Sequence, residues 1–253
     1  GSYTDTAAND TFSNTTGTLS ATDRDSGTTL TYGIDTGTTG STVVGSITYD
    51  VSKAGTYGTL YVKSSDGSYV YVPNANAINA LTSNVTDTFT VRASDGSLSN
   101  TQTFTVNITG VNDTPSAADK TITINEDTPT LLTVSDFGFS DVDTGSALSS
   151  VKITSLASDG VLEYNNGSAW IDVTLNQEIT KADIDANKLR FTPSLNANGE
   201  DSAAFNFKVS DGTAYSDSAY TIVYDVTAVN DAPTANGSRI SINEDMTTVL
   251  SAS

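Results

Sequence analysis

VNDTP at 111–115 and VNDAP at 229–233 are one short phrase written twice, 118 residues apart. Outward from it, other fragments return at nearly the same spacing. INED at 124–127 comes back at 242–245, and Asp23 and Asp25 of TDRDSG (22–27) match Asp141 and Asp143 of DVDTG (141–145), each 118 residues on. ASDG at 93–96 returns as VSDG at 209–212, 116 residues on. Four markers in one order and near one period define an internal repeat. The 253 residues therefore divide into a first repeat (1–110), a joint (111–115), a second repeat (116–229), and a further joint with the first strand of a third repeat (230–253). Pro115 and Pro233 fix φ within joints too short to be floppy.

Each repeat reads as all-β. Runs in which apolar and polar residues alternate, the period of a half-buried strand, occur at 29–34, 59–63, 69–72, 86–93 and 102–109. The second repeat offers 121–124, 150–156, 188–192, 204–209 and 220–227. Asp66-Gly67 lies between two such runs and predicts a tight hairpin turn. The one helix-like stretch is TKADIDAN at 180–187. Many short strands in about 110 residues predict a sandwich, so the chain is expected to be tandem β-sandwiches in a linear array. Trp170, the sole Trp, is expected to be a core or semi-buried anchor.

Composition removes whole classes of function. Thirty acidic residues against 11 basic ones give a formal net charge of −19, which rules against a nucleic-acid partner and an anionic membrane surface. No His or Cys is present, so disulfides and Ser–His or Cys–His nucleophiles are excluded. No apolar run is long enough to span a bilayer. Small domains without disulfides need another staple, and a metal ion is the usual one.

The repeat markers carry the carboxylates. In a sandwich with its ends at opposite poles, Asp141 and Asp143 belong to an early loop and Asp211 to a loop between the last two strands, both beside Asn112 and Asp113. Asn9, Asp10 and Asp87 are expected to approach from the first repeat, matching Glu126, Asp127, Glu200 and Asp201 in the second. Asn230 and Asp231 repeat Asn112 and Asp113 at the next joint, while Asp23, Asp25 and Asp95 repeat Asp141, Asp143 and Asp211 in the first repeat. Two like charges about 4 Å apart repel by about 4 kcal/mol at an effective dielectric near 20. Such a cluster splays into solvent, takes up protons or binds a hard cation. Ca²⁺ takes six to eight oxygens, and Asp-x-Asp with Asn-Asp supplies that mixture, whereas Mg²⁺ demands a smaller octahedron. The competing reading is a set of solvated acidic loops. A glycosidase pair is disfavoured, because these acids repeat at joints instead of lining one cleft.

At these residues the chain resembles known repeats. ATDRDSGTTLTYGI (21–34) is similar to the A-T-D-x-D-x-G-x-x-L-x-Y segment of cadherin repeats. VRASDG and KVSDG resemble their A-x-D-G segment, and VNDTP and VNDAP their linker. GTYGTLYVKSSDGSYVYVP followed by DTFTVRASDGSLS resembles bacterial VCBS repeats. SDVDTGS, LRFTP and FKVSDGTAYSDSA resemble the cadherin-like repeats of giant bacterial RTX adhesins. The resemblance implies Ig-like/cadherin-like sandwiches and a non-catalytic extender of a type I-secreted surface adhesin serving attachment or biofilm, stiffened by Ca²⁺. Its implied partners are neighbouring repeats of the same, monomeric chain. Where the cadherin linker begins with Asp, this chain has Gly110 and Ala228, so the number of ions per joint is open. The alternative is a carbohydrate- or protein-binding module, with Tyr57, Tyr61, Tyr69 and Tyr71 as an aromatic face; exposed rings would favour it and buried rings the stalk. Homotypic adhesion has no support in residues 1–10, which carry no exchangeable Trp.

Overall fold

A computed structural model describes residues 1–25, 27–233 and Glu244. The expected strand of a third repeat lies outside the described residues from 234 onward, Glu244 apart.

Among the described residues the first repeat forms β1 (Ser2–Thr4), β2 (Thr15–Thr18), β3 (Thr31–Ile34), β4 (Thr38–Val44), β5 (Ile47–Ala54), β6 (Gly58–Val62) and β7 (Ser68–Pro73). A one-turn helix, α1 (Ala75–Asn79), leads into β8 (Val85–Ser94) and β9 (Ser99–Thr109). One sheet runs β1-β9-β8-β3 and the other β2-β7-β6-β5-β4. Alternation selects the inner faces. In β8, Asp87, Phe89 and Val91 are buried while Thr86, Thr88 and Thr90 are exposed. They meet Leu60, Val62 and Tyr71 from the facing sheet, with Ile78 of α1 in the same core.

The second repeat forms β10 (Lys120–Asn125), β11 (Thr130–Leu131), β12 (Ser150–Ile153), β13 (Val161–Asn165), β14 (Trp170–Asp172) and β15 (Glu178–Thr180). After α2 (Lys181–Asp185) come β16 (Leu189–Thr192), β17 (Gly199–Ser210) and β18 (Tyr220–Thr227). Its sheets run β10-β18-β17-β12-β15 and β11-β16-β13-β14. Phe205 and Phe207 are fully buried, each contributing about 2–3 kcal/mol by leaving water. The rings of Phe191 and Tyr224 stack across the sandwich at 3.9 Å.

The chain is thus all-β in two tandem sandwiches, as the alternation implied. The helix-like stretch at 180–187 is α2, capped by the Thr180 side chain. Asp66-Gly67 lies in the expected turn, within the short connection that closes antiparallel β6 and β7 into a hairpin. The Gly67 N–H donates to the Lys63 carbonyl at 2.9 Å. Gly67 sits at φ +75°, and a Cβ there would come 2.6 Å from the Leu19 carbonyl oxygen, so the position takes no side chain. Trp170 is half-buried at the sheet surface, not in the core, with the Arg190 guanidinium 4.1 Å from its ring. Arg190 is in turn held by Glu163 at 2.7 Å.

One pairing is shared by both repeats. The first strand lies parallel to the last, β1 with β9 through Thr4 opposite Thr109, and β10 with β18 through Asn125 opposite Thr227. Both strands therefore leave each sandwich at the same pole, and that pole holds the joint.

Candidate metal site at the joint between the repeats

Asp5 follows directly after β1. Its N–H donates to the Thr109 carbonyl at 2.9 Å, and its Oδ2 accepts the Val111 N–H at 3.4 Å. The carboxyl is thereby turned onto the joint and withdrawn to 1% exposure. Asp10 lies five residues on, with its Oδ2 accepting the Thr6 N–H at 2.7 Å. Below, Asn112 donates to Asp211 Oδ2 at 2.9 Å, and the Asp113 N–H donates to Asp143 Oδ2 at 2.8 Å. The second repeat's loop is preset by an Asx turn in which the Asp143 N–H donates to Asp141 Oδ1 at 2.9 Å. Asp211 closes its own turn by accepting the N–H groups of Thr213 and Ala214. The bridge between Ser116 and Ser140 ties the joint to that loop.

The electrostatics single out three of these acids. Asp5 Oδ1, Asp143 Oδ1 and both oxygens of Asp113 are buried without a hydrogen-bond partner. Burial, then the charges of Asp5, Asp143, Asp141 and Asp10, push the Asp113 carboxyl up to about 6. Burial also raises Asp5, with Asp10 adding to it against the Val111 N–H. Asp143 is raised by burial together with Asp141 and Asp211, against the Asp113 N–H. Asp211 goes the other way: despite its burial, the Ala214 N–H, the Asn112 amide and the Thr213 N–H hold it below the usual carboxylate range.

Buried, anionic oxygens with nothing donating to them are what a hard cation requires, and a neutral or protonated core does not explain four of them in one place. Asp5, Asp10, Asp113, Asp141 and Asp143 fit as donors, with Asn112 and Asp211 beside them. Among the described residues, no three carboxylates already stand in a closed coordination geometry.

Asp87 is not among them. It is buried within the first sandwich, accepting the Thr56 and Tyr57 N–H groups at 3.0 Å each and the Tyr71 hydroxyl at 2.8 Å. Its carboxylate is fully used in pinning the 55–57 turn, and an added Cβ on Gly55 would stand 2.3 Å from it. Asp87→Ala would strand the buried Tyr71 hydroxyl and the part-buried N–H groups of Thr56 and Tyr57, and is expected to cost about 3 kcal/mol in urea unfolding, by the same amount with and without calcium. A loss confined to the calcium-loaded protein would return Asp87 to the joint.

Asp5 was missed by the sequence reading. It lies 121 residues before Glu126, three more than the repeat spacing, and Glu126-Asp127 was matched instead to Asn9-Asp10, the acidic pair nearest that spacing. The strand register corrects this. The Glu126 N–H donates to Thr227 as Asp5 does to Thr109, and Glu126 Oε1 accepts the Val229 N–H at 2.6 Å. The available signal was an acid after an apolar–polar pair, Tyr3-Thr4-Asp5 and Ile124-Asn125-Glu126.

At the next joint Asn230 donates to the Asp231 carbonyl, as Asn112 does to that of Asp113. Asn198 donates to Glu126 Oε2 and the Asn196 N–H to Asp127 Oδ1. Glu200 and Asp201 are exposed where β17 bulges, the Asp201 N–H donating to Asp225. At the opposite pole of the first repeat, Asp25 turns onto Asp23, and the N–H groups of Ser97 and Leu98 onto Asp95. These are the loop geometries of Asp141–Asp143 and Asp211, exposed and away from the 111–115 joint.

The tyrosines offered as a binding face are mostly packed inside. Tyr71 is fully buried, Tyr69 meets Phe104 edge-on at 5.0 Å, and Tyr57 is packed against the core. Tyr61, half-buried, leans on buried Tyr49.

Residues 1–110 match the family model for the bacterial cadherin-like domain and residues 112–223 that for the bacterial Ig domain. Among solved structures the chain is similar to an endo-fucoidan hydrolase of glycoside hydrolase family 107, at 19% identity and TM-score 0.28, covering 81% of this chain and 24% of that one. It is similar to human protocadherin-24 EC1-2 at 15% identity and TM-score 0.33, covering 86% and 88%. Drosophila N-cadherin EC1-4 matches at 15% identity and TM-score 0.36, covering 89% and 47%. The chain spans only about a quarter of the length of the hydrolases it matches. No curated protein sequence matches it.

Proposed function

Given that the chain is a bacterial cadherin-like domain followed in tandem by a bacterial Ig domain, we propose that it is a calcium-stiffened stalk segment of a secreted bacterial surface adhesin. In this reading it has no catalytic role and acts as a spacer outside the cell. One observation carries it: four buried carboxylate oxygens, on Asp5, Asp113 and Asp143, lack partners at the one place where the two sandwiches meet. Calcium would supply charge neutralisation and a bond across the joint. Asp5 and Asp10 would contribute from the first repeat, Asp113 from the linker, and Asp141 and Asp143 from the second. The high negative charge keeps neighbouring stalks apart, and the packed tyrosine rings leave the ligand-binding alternative without its platform.

Small-angle X-ray scattering tests the proposal. With about 1 mM calcium the particle is expected to scatter as a rigid rod two sandwiches long. With excess chelator the radius of gyration is expected to broaden into a distribution of bent shapes. Identical curves in both would refute calcium stiffening and leave the acids as solvated loops.

A further inference from the structure

The loop that carries Asp10 is gripped from behind by a side chain that is not itself an acid. Asn79, the last residue of α1, is 2% exposed in a region of apolar contacts. Its amide makes three bonds, all to one short stretch. Oδ1 accepts the Asp10 N–H at 3.2 Å, and Nδ2 donates to the Asp10 carbonyl at 3.0 Å and to Asn9 Oδ1. A buried amide that spends its polar atoms on one neighbouring loop fixes that loop's position and direction. The residues just after it reach the rest of the joint. The Ala80 carbonyl accepts the Thr144 N–H, next to Asp143, at 3.1 Å. Gly110 lies so close to Leu81 that an added Cβ would meet Leu81 Cβ at 2.5 Å. Segment 79–81 therefore touches the first-repeat loop, the linker and the second-repeat loop together.

The second repeat repeats the device with different parts. There Asn198, in the connection ahead of β17, donates to Glu126 Oε2 at 3.0 Å and to the Asn196 carbonyl at 3.3 Å. In both repeats an asparagine placed before the penultimate long strand holds the acidic segment that follows the first strand.

We infer that Asn79 is a positioning residue of the joint: it presets the 5–10 loop so that Asp5 and Asp10 meet the linker acids, and calcium binding does not have to order that loop. This rests on the calcium reading above. Preorganisation of this kind appears as affinity, because ordering a loop on binding subtracts from it.

Asn79→Leu keeps the number of side-chain heavy atoms and the branch point and removes all three bonds. In chelator, the amides of Thr6 and Asp10 are expected to exchange with solvent at least about tenfold faster than in the parent protein, while those of Phe89 and Val91 in β8 are unchanged. Calcium affinity by titration calorimetry is expected to fall about tenfold, and the calcium-induced rise in melting temperature to shrink. Asn9→Ala, on the exposed side of the same contact, leaves the core intact and is expected to weaken calcium about threefold, which keeps the test alive if Asn79→Leu does not fold. Unchanged exchange at Thr6 and Asp10 would overturn the inference. So would faster exchange with unchanged calcium affinity, or equal loss of melting temperature with and without calcium. Absence of any calcium response in the parent protein would overturn the stalk reading itself, and this inference with it.

Discussion

Calcium is expected to raise the melting temperature of the chelated protein by about 10 °C or more, and Asp113→Asn is expected to remove most of that rise. The size follows from mass action. A ligand at a hundred times its dissociation constant stabilises the folded state by about 2.7 kcal/mol, and each kcal/mol shifts a domain of this size by roughly 4–8 °C. Asp113 is the residue to change because both its oxygens are buried and unpartnered while its N–H already serves Asp143. Changing it to Asn removes one of the two oxygens and the charge without breaking a hydrogen bond. The variant carries a second signature: in chelator it is expected to melt above the parent protein, since the repulsion from Asp5, Asp143, Asp141 and Asp10 is relieved. Neutralising Asp141 and Asp143 together is expected to abolish the calcium response but to lower stability in chelator as well, because their oxygens hold the Asp113, Asp143 and Ser146 donors. Scanning calorimetry with and without calcium separates these outcomes. An undiminished calcium shift in Asp113→Asn would place the ion elsewhere.

Without calcium, the protein is expected to become more stable, not less, as the pH falls from 7 to 5. Asp113 titrates near 6 in the folded chain against about 3.9 when unfolded. Between those values the folded state holds more protons, so stability falls as pH rises through the window and is greatest below it. A shift of this size corresponds to on the order of 2–3 kcal/mol, and the raised carboxyls of Asp5 and Asp143 act in the same direction. Carboxyls held low, such as Glu163 by Arg190, oppose it and take over at lower pH. In calcium the slope is expected to reverse, because protons and the ion would compete for the same oxygens. Urea unfolding at pH 7 and pH 5, with chelator and with calcium, reads both slopes. A parent protein and an Asp113→Asn variant with the same slope in chelator would remove Asp113 as its source.

The strands that alternate were readable: β8, β16 and β18 fall where apolar residues recur at every second position. β4 and β5 were not. Thr38–Val44 is almost wholly exposed and made of Thr, Gly, Ser and Val, so no buried face stamps a period on it. β17 was read only from its buried half, since its start at Gly199–Ser202 is interrupted by a bulge. α1 is a single turn, too short for a helical period. That Asn112, Asp113, Asp141, Asp143 and Asp211 meet near the joint was legible because the same letters recur at spacings of 116 to 118 residues. Asp5 escaped because the first copy has three more residues than the second between this acid and the Asp-x-Asp loop. Asp87 was misplaced because an acid in a strand was taken for a loop ligand, when its partners are backbone donors that no motif records.

The parallel pairing of first and last strands bears on what happens when such a chain is pulled. Tension applied along the array draws β10 toward one pole and β18 toward the other, so their ladder is loaded in shear. The six registered pairs from Lys120 opposite Ile222 to Asn125 opposite Thr227 then resist together instead of opening one by one. In the first repeat the same ladder has only three, from Ser2 opposite Asn107 to Thr4 opposite Thr109. Its far end is the backbone bond from Asp5 to Thr109, so an ion bound by Asp5 would stand at the end of the shorter ladder, where the sandwich with fewer registered pairs has more to gain.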